Sequence, residues 1–497
     1  MLYQSTRGGG LRITAAEAIA QGLSKDGGLF VPESFPQLSE DMIAGLVSQP
    51  FAVRAACVLG LFLDGFTPEE LGVFTSEAYC APAFDHPAIA PLRKLDGNTF
   101  FMELWHGPTS AFKDMALQML PRLLTASLKK MNEKRGACIL VATSGDTGKA
   151  ALEGFRDIPG TKIMVFYPRD GVSDVQKLHM TTQEGGNVNV VAVEGNFDDT
   201  QTGVKAIFSD EAFRAELNNR GYFLSSANSI NWGRLVPQIA YYVSAYCDLL
   251  AEGEINPGEK IDFCVPTGNF GNILAGYYSE RIGLPVNKLI CASNRNDVLA
   301  QFIGTGVYDK NRPFYTTMTP SMDILVSSNL ERLLFELSGK DGSAVSGYMS
   351  ELSGTGRYEV PRHVSEEINR LFAGGRCSEE DTMEAIATAY NDHGYLIDTH
   401  TAVGYKVLSD YRAHSGDDTL SVVVSTASPF KFSDSVLKAL GRESSGGGAM
   451  LMDVLAEATG CAVPAPLARL RTMPQRFPDS VPAERMKSAV EDFLYQV

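Results

Sequence analysis

The sequence predicts an α/β fold: two open, mostly parallel sheets preceded by a small N-terminal domain. Three observations predict it. From about residue 96 short β-branched runs alternate with helical patterns, the alternation comes in two sets, and one long apolar helical stretch, LVPQIAYYVSAYCDLLAE, lies between the sets. Apolar runs of about 5 to 7 residues, each followed by a helix of about 10 to 15, mark βαβ units.

Taken in order, the first ~95 residues carry helical patterns, ITAAEAIAQGL, DMIAGLV and FAVRAACVLGLFLDGF, broken by paired glycines and Pro-rich joints. They offer little chemistry. In the first α/β set ACILVAT (137–143) precedes a helical stretch, TKIMVFY (161–167) precedes SDVQKLHMTTQ, and VNVVAVEG (188–195) precedes DDTQTGVKAIFSDEAF. The second set holds IDFCVPTG (261–268), KLICAS (288–293) and TLSVVVST (419–426). The expected domains are therefore 1–95, 96–235 and 236–497, with ligands bound at the carboxyl ends of the strands.

Composition narrows the partners. The 497 residues are 44% hydrophobic with a mean hydropathy of −0.05, enough for a sizeable core. Lys plus Arg number 43 against 59 Asp plus Glu, a net charge of −16, which argues against nucleic acid or an anionic membrane as partner. A small anionic ligand stays open, because surface charge is screened over about 8 Å at physiological salt. Eight cysteines with no C-x-x-C read as reduced core residues of a cytoplasmic protein. There is no signal-peptide pattern and no apolar run of about 18 residues. The seven histidines show no H-E-x-x-H, so no metal is expected. SSGGGA (444–449) reads as a loop without an assignable function.

Five motifs carry potential chemistry. GPTSAFKD (107–114) sets Lys113 after Pro108 and small polar residues; a lone lysine there is most simply an exposed first turn of a helix. PTGNFGN (266–272) lies between a strand and a helix, where Gly268 and Gly271 permit positive φ and close backbone approach, so amides can face a phosphate; an ordinary turn is the alternative. ATSGDTGKAA (142–151) is not a P-loop, since Thr143 stands where glycine is needed and Ala150 where Ser or Thr is needed. Its Ser144, Asp146 and Thr147 either cap a helix or, with Gly145, receive a carboxylate. SSANSINWGR (225–234) offers Asn228, Ser229 and Arg234, suited to a phosphate or to capping and a surface ion pair. VVVSTASPFKF (422–432) ends a strand in hydroxyls, which usually satisfy backbone groups.

Together these motifs, with TRGG, KDGGLFVP (25–32) and THTAVG, resemble the threonine synthase family, pyridoxal-phosphate enzymes of the tryptophan-synthase-β type fold. The resemblance runs in order through nearly the whole chain. One departure is DTHTAVG (398–404), where proline is expected in place of Thr399; it should alter a helix entry rather than the chemistry. The resemblance implies that Lys113 forms the internal Schiff base with pyridoxal 5'-phosphate, with Phe112 beside the cofactor and Asp114 turned away from it. It implies a cofactor-phosphate loop at Gly268, Asn269, Phe270, Gly271 and Asn272, and Thr426 at the pyridine nitrogen as a neutral partner. It places the phosphate of O-phospho-L-homoserine with Asn228, Ser229 and Arg234, and its α-carboxylate with Ser144, Gly145, Asp146 and Thr147, the Asp146 contact through the backbone amide alone. The implied reaction is conversion of O-phospho-L-homoserine and water to L-threonine and phosphate, by a monomer or homodimer. A phospho-lyase or serine/threonine dehydratase with the same cofactor, and a non-catalytic phosphate-ligand binder, are the alternatives.

Overall fold

The protein was analysed as a computed structural model that describes residues 1–143, 145–170, 172–442 and 446–495, without the side chains of Phe197 and Asp198. Each long β-branched run becomes a strand: Gly136–Ala142, Thr161–Pro168, Val188–Glu194, Ile261–Pro266, Val286–Ser293 and Ser421–Ser425. They sort into two sheets. The smaller has five strands, in spatial order Ser480–Pro482, Val188–Glu194, Thr161–Pro168, Gly136–Ala142 and Tyr222–Ser225, all parallel. The larger has six: Phe372–Arg376, Val286–Ser293, Ile261–Pro266, Ser421–Ser425, Thr99–Glu103 and Leu92–Asp96, parallel except for the last, which closes an antiparallel hairpin.

The sheets do not respect the expected divisions at 96–235 and 236–497. Thr99–Glu103, buried over most of its length, pairs with Ser421–Ser425 inside the larger sheet, and Ser480–Pro482 crosses back to edge the smaller one. A strand buried on both faces must complete a sheet interior wherever one is available, so its place follows from burial rather than from sequence neighbours. The consequence is functional. Ile261–Pro266, Ser421–Ser425 and Thr99–Glu103 run side by side in one direction, so PTGNFGN, STASPFKF and ELWHGPTSAFKD leave from the same edge. Gly136–Ala142 and Tyr222–Ser225, also adjacent and parallel, deliver ATSGDTGKAA and SSANSINWGR from the second sheet.

The apolar stretch between the sets folds as helix Trp232–Leu235, a turn at Val236–Gln238 and helix Ile239–Glu252, which is buried almost all round, as expected of a helix apolar on every face. Trp232 packs among Tyr3, Phe62 and Tyr278 at ring distances of 5.3, 5.8 and 5.4 Å, so the N-terminal helices share one core with the larger sheet. Truncating such a residue costs about 3–5 kcal/mol. Buried Arg54 adds a polar tie, donating to Asp248 at 2.5 Å and to the carbonyls of Leu46 and Val47. Among the described residues no helix is long and apolar enough to cross a membrane.

Candidate active site

Lys113 opens the short helix Lys113–Leu117 and is buried, not exposed. Its segment is stitched to the STASP loop: Phe112 N donates to Thr426 O at 2.8 Å and Ser428 N to Ser110 O at 3.1 Å. Asp114 turns away, as expected, and accepts from Thr109 N and Thr109 Oγ1 at 2.8 and 2.7 Å, closing the turn before the lysine. Burial pushes its carboxyl up to about 6 against those hydrogen bonds. Gly107 is obligatory there, because a Cβ would lie 2.6 Å from the Asp114 side chain. Lys113 Nζ lies 4.6 Å from the Phe112 ring centroid.

The charges around Lys113 come from both sheets. Asp146 Oδ2 is 3.9 Å from Lys113 Nζ, while Asp146 Oδ1 pairs with Lys431 Nζ at 2.7 Å and accepts from Gln176 Nε2 at 3.0 Å. Burial alone would raise the Asp146 carboxyl; Lys431 and Lys113 outweigh it and hold it well below the usual carboxylate range. Burial pulls the Lys113 amine down to about 8, with Asp146 opposing and Arg234 and Lys431 reinforcing. Lys431, which also donates to Thr109 O at 2.9 Å, was not legible as a site residue, nor was Gln176.

The helix-capping alternatives fail. Helix Asp146–Phe155 has Gly145 at its N-cap, at φ 141°, with no side-chain cap, and a Cβ at Gly145 would strike Gln176 at 2.4 Å. Thr143 Oγ1 instead accepts from Gly145 N and Gly148 N at 3.0 and 2.9 Å. Ser144 lies outside the described residues. Helix Trp232–Leu235 is capped by Asn231, so the side chains of Asn228 and Ser229 are not spent on it. Arg234 is buried, donates to Ala227 O at 2.8 Å and Thr147 Oγ1 at 3.4 Å, and has no carboxylate partner among the described residues. Burial draws its guanidinium down to about 10. A buried cation so placed suits an anion.

In PTGNFGN the strained backbone is not at the glycines. Phe270 takes φ 63°, and its side chain packs at 5.8 Å from Phe372 in the core. Gly268 is required for close approach instead, since a Cβ would lie 2.5 Å from Ser321 O. Thr267 N donates to Ala292 O and Leu274 N to Phe270 O, but none of the amides from Gly268 to Ile273 has a protein acceptor among the described residues. Asn269 is exposed, whereas Asn272 is buried, accepts from Tyr241 and Tyr242 at 2.6 and 2.8 Å, and leaves its Nδ2 unpartnered. A row of free amides opening helix Gly271–Arg281, with a spare side-chain donor, fits a phosphate. Thr426 is buried with no protein partner for its hydroxyl among the described residues, Ser425 Oγ having taken Trp105 Nε1 and Thr401 Oγ1 at 3.1 Å each. The residues therefore fit pyridoxal phosphate: amides for its phosphate, a buried amine, an aromatic ring and a free hydroxyl.

Comparison with known proteins agrees. Family models described as "Threonine synthase N terminus", "Pyridoxal-phosphate dependent enzyme" and "Threonine synthase, C-terminal" match residues 2–79, 79–427 and 401–493. The chain is 42% identical to threonine synthase of Pseudomonas aeruginosa over 88% of this chain and 90% of that one. It is also 42% identical to human threonine synthase-like 1, over 86% of this chain and 58% of that one. Among solved structures it is similar to pyridoxal-phosphate-bound threonine synthase from Brucella melitensis (37% identity, TM-score 0.88, all of both chains). The yeast threonine synthase gives 33% identity and a TM-score of 0.89, covering 100% of this chain and 99% of that one. The fold is thus of the tryptophan-synthase-β type, and this protein belongs to the threonine synthase family, enzymes whose cofactor is pyridoxal 5'-phosphate.

Proposed function

We propose that this protein makes L-threonine and phosphate from O-phospho-L-homoserine and water. The observation that carries the proposal is a buried lysine together with two donor sets of phosphate size that meet at Gly271 and Ser229: the amides of Gly268–Ile273 and the group Asn228, Ser229 and Arg234. A phosphorylated substrate on a phosphorylated cofactor needs both. The backbone amides of Gly268, Asn269, Phe270, Gly271 and Asn272 would hold the cofactor phosphate, Lys113 would carry the cofactor until a substrate amine takes its place, Phe112 would lie alongside and Thr426 Oγ1 would serve the ring nitrogen. When bound, pyridoxal phosphate supplies an electron sink for charge developing on an amino-acid substrate.

Lys113 Nζ, released once the substrate amine has taken its place and drawn down to about 8 by burial, is the base of the reaction. It takes the proton from substrate Cα, and a second proton leaves Cβ as the γ-phosphate departs. A proton then returns to Cγ, water adds its oxygen at Cβ as it gives up one proton, and a proton returns to Cα. Arg234, Asn228 and Ser229 hold the departing phosphate, and the amides of Asp146 and Thr147 receive the α-carboxylate, the Gly145 amide being engaged by Thr143 Oγ1. The Asp146 carboxylate, already paired with Lys431, orients and compensates charge but does not bind substrate. The free cysteines fit a reducing, cytoplasmic setting.

A second reading uses the same buried lysine and the same two anion sites, an enzyme that stops after phosphate loss and yields 2-oxobutyrate. The test is to incubate the holoenzyme with O-phospho-L-homoserine and follow phosphate and threonine together, with Lys113→Ala as control. Equal release of both supports threonine synthesis; phosphate with 2-oxobutyrate and no threonine supports the second reading.

A further inference from the structure

The N-terminal TRGG and KDGGLFVP segments touch neither anion site, yet both grip the element that does. Thr6 Oγ1 donates to Glu331 Oε1 at 2.6 Å, and Arg7 clasps Glu331 through Nε and Nη2 at 2.9 Å each. Thr6 Oγ1 also accepts from Leu29 N at 2.8 Å, tying the two segments together. Beside Glu331 on helix Leu330–Leu337 stands Arg332, fully buried and without a carboxylate in salt-bridge range among the described residues. Its guanidinium spans three parts of the molecule. Nε donates to Phe30 O in KDGGLFVP, on the strand Phe30–Pro32 that pairs with Tyr3–Ser5, at 3.0 Å, Nη2 to Ile230 O in SSANSINWGR at 2.6 Å, and Nη1 to Asn329 Oδ1.

Asn329, itself buried, passes the constraint on. Its backbone N and its Nδ2 both donate to Asn269 O, at 3.2 and 3.0 Å, inside the glycine loop. At Gly271 the loop and the second site meet: a Cβ there would have Asn329 Nδ2 at 3.5 Å and Ser229 Cβ at 3.8 Å as its neighbours. A planar fork with fixed donor directions suits such a junction, because it sets the angles between three backbones at once.

We infer that Arg332 is a positioning residue that fixes the spacing between the cofactor-phosphate loop and the substrate-phosphate segment, Asn329 carrying the loop branch and the N-terminal domain clamping the fork. The inference rests on the assignment of those two sites above. It gives the N-terminal domain a role in ligand binding, and linkage makes that role reciprocal: cofactor binding tightens the clasp on Thr6 and Arg7.

The test uses full-length protein stripped of cofactor and titrated with pyridoxal phosphate, followed by KM and kcat for O-phospho-L-homoserine at saturating cofactor. Arg332→Gln should weaken cofactor binding and raise KM, each by about tenfold for the loss of charge-assisted hydrogen bonds, with a smaller change in kcat. Arg332→Lys, which keeps the charge but not the fork, should recover only part of either. Asn329→Ala should weaken the cofactor by a similar factor and leave KM within about twofold, because the Ile230 branch is intact. Arg7→Ala should speed hydrogen exchange at the amides of 268–273. The inference is overturned if folded Arg332→Gln binds both ligands like the wild type, or if Asn329→Ala moves KM as far as cofactor affinity. Should Arg332→Gln fail to fold, Asn329→Ala and Arg7→Ala decide by the same criteria. A wild-type protein that takes up no pyridoxal phosphate would instead break the assignment of the glycine loop.

Discussion

The two sides of the candidate site solve opposite problems. On the glycine-loop side the donors are backbone amides left free, held in place by contacts from behind: Ser327 Oγ on Gly268 O at 2.9 Å and Asn329 on Asn269 O. On the lysine side the groups are buried side chains that already satisfy one another, Lys113, Asp146 and Lys431 sharing one carboxylate between two amines. An amide row needs no counter-charge and waits for its anion at little cost. Buried ammonium groups need a partner inside the protein at all times, or the penalty of an unpaired charge appears. The first side should therefore respond to steric change and hardly to pH, and the second to charge and pH.

The largest effect expected is on the lysine side. Lys113→Ala should lower threonine formation by at least about a thousandfold, the upper range for loss of a general base, and abolish the peptide label fixed by borohydride reduction with pyridoxal phosphate. A label on another residue would remove Lys113 from its assigned role. Next comes the steric test of the amide side. Gly268→Ala places a Cβ 2.5 Å from Ser321 O, a backbone atom that cannot swing away. Overpacking of about 1–3 kcal/mol should appear as a ten- to hundredfold weaker cofactor affinity, nearly independent of pH between 6 and 9.

Charge changes sharpen the contrast. The charged groups acting on Lys113 are Asp146, Arg234 and Lys431, with Asp114, turned away toward Thr109, the weakest. Cofactor uptake by the stripped protein requires the neutral amine, so its rate should rise roughly tenfold per pH unit and level off above about 8. Lys431→Met removes a cation and leaves Asp146 to Lys113 alone, so the midpoint should move up. Asp146→Asn removes the anion that favours the charged amine, so the midpoint should move down, and by more, because Asp146 acts on Lys113 more strongly than Lys431 does. Absorbance-detected uptake across the pH range reads both signs, and two shifts in the same direction would contradict the shared-carboxylate arrangement.

The same contrast explains what could be read from the sequence. Strands and the amide loop were legible because β-branched runs and glycines act locally, over a handful of residues. Strand Phe372–Arg376 was not, since FAGGR carries two glycines where strands disfavour them; here they admit neighbours that a side chain would strike, a Cβ at Gly374 falling 2.8 Å from the backbone of Ala300 and one at Gly375 falling 2.4 Å from the side chain of Val407. Ser480–Pro482 is too short to announce itself. Lys431 and Gln176 were silent for a different reason: each reads as an ordinary polar residue until the fold brings it to Asp146, and no local pattern encodes a partner that far along the chain. Within the glycine loop the placement was right and the reason partly wrong, positive φ falling on Phe270 while Gly268 answers to crowding.

The smallest effect concerns Thr399, where the resemblance leads one to expect proline. Thr399 is the first residue of helix Thr399–Ser415, and Asp398 caps it by accepting from His400 N at 2.9 Å and Thr401 N at 3.3 Å. Proline is well suited to that first position, and Asp398 at φ −78°, ψ 167° already has the extended conformation that a following proline demands. No backbone donor is lost, because Thr399 N has no acceptor among the described residues. What is lost is the hydroxyl bond from Thr399 Oγ1 to Met318 O at 2.9 Å. That loss of about 1 kcal/mol is set against about 0.4–1 kcal/mol gained by stiffening the unfolded chain, so Thr399→Pro should shift the urea midpoint only slightly. Thr401 Oγ1 would keep its bond to Ser425 Oγ, one residue before Thr426, and kcat should stay within about twofold. A larger fall in kcat with stability unchanged would show that the threonine hydroxyl, through Met318, helps to set the cofactor side of the site.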